Sequence, residues 1–462
     1  MTIKKIFSSP ALHLKATLQT IINMPSDKLK NSVGLRLIII GALSLVLLIP
    51  AALIQGLISE REQRRDNAVF EVSDKWGRPQ IIAGPILTVP YKKLVKDEKD
   101  KLVAVIEYAH FLPEQLSIDA ELFPELRYRG IYEVVLYNAK LRIHGHFAPL
   151  DFNQFSIVAE DVLWKDAILA LGLSDLKGIR EAVKIKLHDA VWTANPGVES
   201  KEVLEIGISV KPKLNAASER HDFVVDLDLN GSGEISFVPV GKETSVKVSS
   251  QWGNPSFIGA FLPAERQVQA GQFSDAWKVL HLNRNDPQQW LGSQHRILES
   301  NFGVKLLLPI DEYQKTMRTA KYAIMFIALT FLTFFLTEVL NRKVIHPIQY
   351  ILIGLALILF YTLLLSFSEH IKFNSAYLLS SLAIIALVTA YTKSVLSNNL
   401  ATAVIAGVLI ILYGFLYIIL QLQDYALLLG SLGLFIILAI VMYVTRKIDW
   451  FAIGKLTTEP PK

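Results

Sequence analysis

One apolar run from Leu35 to Ile58 stands alone, and five more crowd between Tyr322 and Val444. A helix crossing about 30 Å of hydrocarbon at 1.5 Å per residue needs about 20 apolar residues. Six segments approach or meet that length: 35–58, 322–340, 348–367, 376–391, 400–420 and 427–444. Lipid offers no partner to backbone N–H and C=O groups, so such runs cross it as helices that bond internally. About 260 mostly polar residues separate the first run from the others, enough for a large water-exposed domain. The pattern predicts a polytopic α-helical membrane protein of six spans, with that domain inserted between spans one and two. Segment 376–391 is the shortest and carries Ser380, Ser381 and Thr389, so it is expected to face other helices more than lipid. Pro50 is expected to kink the first span, because it removes a backbone donor and crowds the preceding turn.

Composition agrees. Of 462 residues, 52% are hydrophobic and 19% charged, as fits a chain with about a third of its length in lipid. The formal charge of +5 does not indicate nucleic acid, because much of the excess Lys and Arg flanks the spans. The absence of cysteine excludes disulfide scaffolds, thiolate metal sites and cysteine nucleophiles. Lys4, Lys5, Lys15, Lys28, Lys30 and Arg36 precede the first span, whose apolar length exceeds a signal-peptide core, so it is read as an uncleaved signal anchor.

Short-loop charges orient the helices. Arg342 and Lys343 follow span two, Lys393 follows span four, and Arg446, Lys447 and Lys455 follow span six. On the other side stand only Lys372 with Glu369, and Asp424. The positive-inside rule then puts both termini in the cytoplasm and 59–321 outside it. Arg61, Arg64 and Arg65 lead into a long translocated domain and weigh little in that rule. Segment 11–24 spaces Leu14, Leu18, Ile21 and Ile22 as an amphipathic helix on the inner leaflet would; a frayed basic tail fits it equally.

Residues 80–250 read mostly as strands: Gln80–Val89, Lys101–Phe111, Glu133–Phe147, Val183–Val191, Val203–Val210, Asp222–Leu229 and Ser245–Ser249. Leu141, Ile143, Gly145 and Phe147 alternate with Arg142, His144 and His146, placing the two sets on opposite faces. Many short strands predict a β-sandwich or a related two-layer fold. Asp161–Leu173 and Glu60–Lys75 read as helical, the latter continuing the first span as a charged stalk with Glu60, Arg64 and Arg65 at pairing distance.

Longer motifs are familiar. "SEREQRRDNAVFEVSDKWG" followed by "GPILTVPY" resembles the start of the external domain in the CreD family of inner-membrane proteins. The resemblance continues through "SFIGAFLP", "KYAIMFIALTFLTFFLTEV", "HPIQYILIGLALILFYTLLLSFSEH", "DYALLLGSLGLF" and "MYVTRKIDW", nearly the whole chain. The leader before Gly34 is longer than usual for the family. The resemblance implies an envelope-integrity protein of Gram-negative bacteria, under a two-component system and linked to envelope stress and colicin tolerance. It carries over no catalytic residue, because the family's molecular activity is not established.

Single constellations add little chemistry. His144 and His146 project to one face, but a metal would need a third ligand such as His110, His188 or His221, and a solvated strand face is preferred. Glu338, in the apolar sequence of span two, is expected to pair with Arg342 four residues on; a proton relay with His346 is the alternative. Ser366, Ser368, Glu369 and His370 at the outer end of span three are triad residue types in an order that builds no triad. A polar cap against the external domain, shared with Asp424 and Tyr425, is expected instead. "NGSG" at 230–233 reads as a hairpin turn, because a phosphate cradle needs a helix directly after it. Trp76, Trp252, Trp277 and Trp290 read as core or interface anchors, and Asp449–Trp450 as an interfacial anchor.

The resulting division is 1–34, a basic cytoplasmic segment; 35–58, the first span; 59–321, a periplasmic β-rich domain; 322–444, a five-helix bundle; and 445–462, a basic cytoplasmic tail. The expected function is non-enzymatic maintenance or monitoring of the envelope through the external domain, with the stalk at 59–75 and the re-entry at 311–321 transmitting movement. Expected partners are the lipid bilayer and periplasmic or inner-membrane proteins, not nucleic acid, and no cofactor, metal or catalytic residue is assigned. A transporter or lipid flippase built on the five helices is the rival, although the bundle shows no clear repeat and few buried charges.

Overall fold

The computed structural model describes residues 33–214, 220–308, 312–341, 343, 345–422 and 425–446. The chain forms two compact units, one of Met1–Gln63 with Asp311–Lys462 and one of Arg64–Ile310.

The first unit is helical. Its first span is made by α1 (Val33–Val46) and α2 (Leu48–Trp76), which meet at Leu47. The interruption falls one turn before Pro50, whose missing N–H leaves the Val46 carbonyl without its donor. α2 runs on past Lys75 as the Glu60–Lys75 reading requires, its residues from Arg64 onward belonging to the other unit. α3 (Glu312–Lys321), α4 (Ala323–Asn341), α5 (Pro347–Ser368), α6 (Phe373–Leu396), α7 (Asn399–Gln421) and α8 (Ala426–Thr445) follow. Among the described residues six helices are long and apolar enough to span a membrane. The span read as the shortest is a 24-residue helix, α6, because hydropathy fades at its ends while helix geometry continues to Ser397 in the left-handed region. Ser380 and Ser381 on α6 are buried.

Helix ends are capped locally. His346 precedes Pro347 and Gln349: its Nδ1 accepts from the Ile348 N–H at 3.3 Å, and the Gln349 side chain accepts from the His346 N–H at 2.9 Å. Asn398 accepts from Leu400 and Ala401 at the start of α7. α5 is central, packing on α1, α3, α4 and α6. A Cβ on Gly354 would lie 2.2 Å from Leu47 Cδ1, so a glycine at this place in α5 receives the residue at which the first span breaks. α8 is peripheral. Of its described residues only Gly433 is buried, and a Cβ there would lie 2.2 Å from the Phe415 ring.

The second unit is two β-layers around one core. Its strands are β1 (Gln80–Lys96), β2 (Leu102–Phe111), β3 (Gln115–Arg129), β4 (Tyr132–Phe147), β5 (Ile168–Leu173) and β6 (Lys184–Leu187). β7 (Ala190–Thr193), β8 (Asn195–Pro196), β9 (Gly207–Val210), β10 (His221–Ser232), β11 (Glu234–Val238) and β12 (Glu243–Ser250) come next. β13 (Pro255–Gly259), β14 (Glu265–Gln269), β15 (Gln272–Leu280), β16 (Gln289–Leu291) and β17 (Phe302–Leu306) complete it. One sheet orders β13-β17-β11-β1-β5-β9-β8, with β2 and β16 attached beside β1; the other orders β14-β15-β12-β3-β4-β10-β6-β7. Both are mixed, since β1–β11 and β3–β12 pair in parallel. The inward sides meet in one apolar cluster that includes Leu116, Ile118, Leu141, Ile143, Phe147, Phe223, Phe237 and Trp277.

Three local readings are corrected. Asp161–Leu173 is not a helix: short 3-10 turns lead into β5, whose six residues are all buried between β1 and β9. A continuous apolar run in a two-sided sheet has no period by which to tell it from a buried helix. "NGSG" is not a hairpin turn, because β10 and β11 lie in different sheets and the chain passes from one layer to the other at Gly233, φ +69. Gly231 there faces the Tyr137 phenol, whose hydroxyl lies 2.2 Å from where a Cβ would be. Val183–Val191 is two strands, folded at His188–Asp189 with His188 at φ +53.

The outward side of the second sheet is a charge lattice. Lys247, Asp119, Arg142, Asp226 and Lys184 lie opposite one another across β12, β3, β4, β10 and β6, alternating in sign at every step. Glu121, Lys140 and Asp228 form the next row. Opposite charges at facing positions favour this register over a slipped one.

Candidate functional site

Among the described residues of the helical unit, two clusters of polar side chains share one chemistry. Glu338 on α4 is 2% exposed. Its Oε1 accepts from Arg36 Nη1 of α1 at 2.7 Å, and its Oε2 accepts from the Tyr350 hydroxyl of α5 at 3.0 Å. Phe331 and Phe334 flank the Tyr350 ring. A carboxylate at such a place is costly unless paired and hydrogen-bonded, and here both oxygens are used.

The second cluster repeats the residue types. Glu369 caps α5 at its C-terminus, where the helix dipole disfavours an acid. Its Oε1 accepts from the Tyr313 hydroxyl at 3.2 Å, and its Oε2 lies 3.8 Å from Arg61 Nη1. Arg36 and Arg61 stand about 25 residues apart, roughly 38 Å of helix, a little more than the hydrocarbon thickness. Between the clusters Leu47 seats against Gly354, and Gln55 Nε2 donates to the Ala320 carbonyl at 3.3 Å. The first span is therefore fastened at both ends and at its middle.

In the β unit, Thr88 Oγ1 is 2.9 Å from His110 Nδ1, and His110 Nε2 is 2.9 Å from Glu202 Oε2. Hydroxyl, imidazole and carboxylate stand in the order of a nucleophile, base and orienter. Thr88 and His110 are both buried, and Trp290 covers the ring at 5.5 Å, so the chain ties β1 and β2 to the 201–203 turn rather than presenting a hydroxyl. Burial holds the His110 pKa below its ordinary value, against the pull of Glu202. His188 Nε2 and His221 Nδ1 are 2.9 Å apart as a separate pair. Burial, then the charge of Arg220, lowers the His146 pKa.

A family model described as "Inner membrane protein CreD" matches residues 32–451. The inner membrane protein CreD of Escherichia coli strain K12 is 32% identical over 414 residues, which cover 88% of this chain and 91% of that protein. The chain belongs to the CreD family. It is accordingly an inner-membrane protein with several spanning helices. A zinc metallopeptidase of the M1 class from Deinococcus radiodurans, solved by crystallography, aligns over 42% of each chain at 8% identity, and its TM-score of 0.21 carries no argument.

In this CreD-family chain the anticipated site residues are distributed as follows. Glu338 pairs with Arg36 and Tyr350; Arg342, its expected partner, lies outside the described residues, as do Asp424, Asp449, Trp450 and segment 11–24. The i,i+4 pattern favoured Arg342, while Arg36 had been counted among the flanking bases, and no local signal links residues 302 positions apart. His346 is engaged as a helix cap. Ser368 and His370 bond to carbonyls of their own helix, to Leu365 and Ser366. His144 and His146 meet no third ligand: among the described residues no group of three or more His, Cys, Asp or Glu is placed to hold a metal. Trp277 and Trp290 are core residues, whereas Trp76 and Trp252 donate to the Tyr137 and Leu307 carbonyls. Tyr313 and Glu202 had no sequence signal at all.

Proposed function

We propose that the protein supports envelope integrity as a non-enzymatic inner-membrane protein whose β-rich unit stands on the periplasmic side and meets periplasmic or inner-membrane partners. The observation that carries this reading is the insertion of a two-layer β unit between the first helix and the other five in a CreD-family chain. Lys343, Lys393 and Arg446 follow spans on one side, which supports cytoplasmic termini and a periplasmic β unit. The occluded Thr88 hydroxyl supports a binding or mechanical role over hydrolysis.

A transporter or flippase remains the competing class, motivated by the intramembrane Glu338. Both its oxygens are engaged by Arg36 and Tyr350, which favours a structural use. The decisive experiment replaces Arg64–Ile310 by a flexible linker in a strain lacking the native gene. Dye entry and detergent sensitivity should stay at the level of the null strain although the helices insert. Full rescue by the helices alone would overturn the proposal, and lipid or solute flux from vesicles holding the intact protein would favour the competitor.

A further inference from the structure

Three tyrosines from successive spans converge inside the bundle: Tyr361 on α5, Tyr377 on α6 and Tyr413 on α7. Tyr361 and Tyr413 are 1% and 2% exposed, and neither hydroxyl has a hydrogen-bond partner among the described residues. The Tyr377 hydroxyl donates to the Tyr413 carbonyl at 2.7 Å. The Tyr361 phenol lies within electrostatic reach of both others. Ser380, three residues beyond Tyr377 and so on the same face of α6, is wholly buried and its hydroxyl is likewise unmatched. The Phe360 ring packs on all three tyrosines, at 5.0, 5.5 and 4.8 Å, and Phe326 lies 5.0 Å from Tyr413.

We propose that this junction is a binding site for water within the spanning bundle, held by the Tyr361 and Tyr413 hydroxyls. Phenylalanine would fill the same volume without a group needing a partner, and a buried hydroxyl left dry is destabilising. No charged side chain is among the groups described at the junction, so the ligand is small and neutral, able both to accept from phenols and to donate. Water meets that description and makes two to four bonds at such places. Its mechanical effect is specific. Water exchanges partners easily, so α5, α6 and α7 can shift against one another without stranding a hydroxyl, at the same level where the Tyr413 carbonyl already takes a bond from another helix.

The test uses full-length protein in nanodiscs. Tyr361→Phe and Tyr413→Phe should each lower Tm by about 2–4 °C, since each removes a hydroxyl bonded to bound water. An unchanged or raised Tm for both variants means dry, unsatisfied hydroxyls and overturns the proposal. A second readout does not depend on stability: solid-state NMR polarisation transfer from water to tyrosine rings, with Tyr361 and Tyr413 assigned from the two variants. Transfer as fast as at exposed Tyr128 of the β unit is expected, and its absence from both buried rings also overturns the site.

Discussion

The helical unit and the β unit solve opposite problems with the same kinds of side chain. In the β unit the alternation of apolar and polar residues decides which face is buried, because water rewards one face and not the other. Ile143 and Phe147 point to the core and Arg142 does not, so the two layers follow from pattern alone. In the helical unit apolar character decides nothing of the kind. Leu427, Leu428 and Phe435 on α8 are exposed, at 87%, 62% and 68%, and lipid accepts them. Specificity there falls on a few exceptional contacts: Arg36–Glu338–Tyr350, Leu47 against Gly354, and Arg61–Glu369–Tyr313. One unit is specified everywhere weakly, the other at few places strongly.

That contrast can be broken by single substitutions of unequal weight. Glu338→Ala should have the largest effect, since it removes the buried carboxylate bonded by both Arg36 and Tyr350, at a cost of about 3–5 kcal/mol. Thermal unfolding of full-length protein in nanodiscs should show it, and Arg36→Met with Glu338→Leu should recover most of the loss. A double variant as unstable as the single one would mean that the polar contacts themselves, not the imbalance left by removing one partner, are what matter. Gly354→Val comes next, about 1–3 kcal/mol by forcing a side chain into Leu47. Leu47→Ala on the same background should relieve part of that penalty, and no relief would disprove the contact.

A pH series sharpens the β side. The His110 pKa is lower folded than unfolded, so its contribution is fully present above about pH 6.5 and is lost progressively as pH falls from there through the depressed folded value. The slope is at most about 1.4 kcal/mol per pH unit. Urea titrations followed by tryptophan fluorescence, to which Trp290 contributes, should show weakening toward pH 5 that His110→Gln flattens. His146→Gln should flatten it less, because that ring is only partly buried. The smallest effect belongs to an exposed charge. Arg142→Glu should cost no more than about 1 kcal/mol, and part of that loss should return with Asp119→Lys if facing charges set the register.

The same contrast explains what was legible. Six spans were visible as apolar length, and the Pro50 break as chemistry. Strands β1, β4, β10 and β12 were visible as alternation or β-branched content. β3 was missed although Leu116, Ile118, Ala120 and Leu122 alternate inward, because the acids between them and Pro124 dilute the composition of a strand. β5 was misread because burial on both faces erases the period. The clasps were half visible: Glu338 and Glu369 stand out in apolar surroundings, but their partners lie 302, 56 and 308 positions away or on another helix, and nothing local encodes that distance. The polar chain through His110 was invisible for the same reason, with Glu202 in a turn 92 residues on.

Early strands of the β unit wait for late ones. β1 finds its parallel neighbour only at Glu234–Val238, and β3 only at Glu243–Ser250. As the chain emerges from its N-terminus, two ladders keep an open edge until more than 120 further residues have followed. Any stop in synthesis before Ser250 therefore leaves a half-built sheet with sticky borders, so the order in which these strands appear along the chain makes completion of the middle third decisive for closing both ladders.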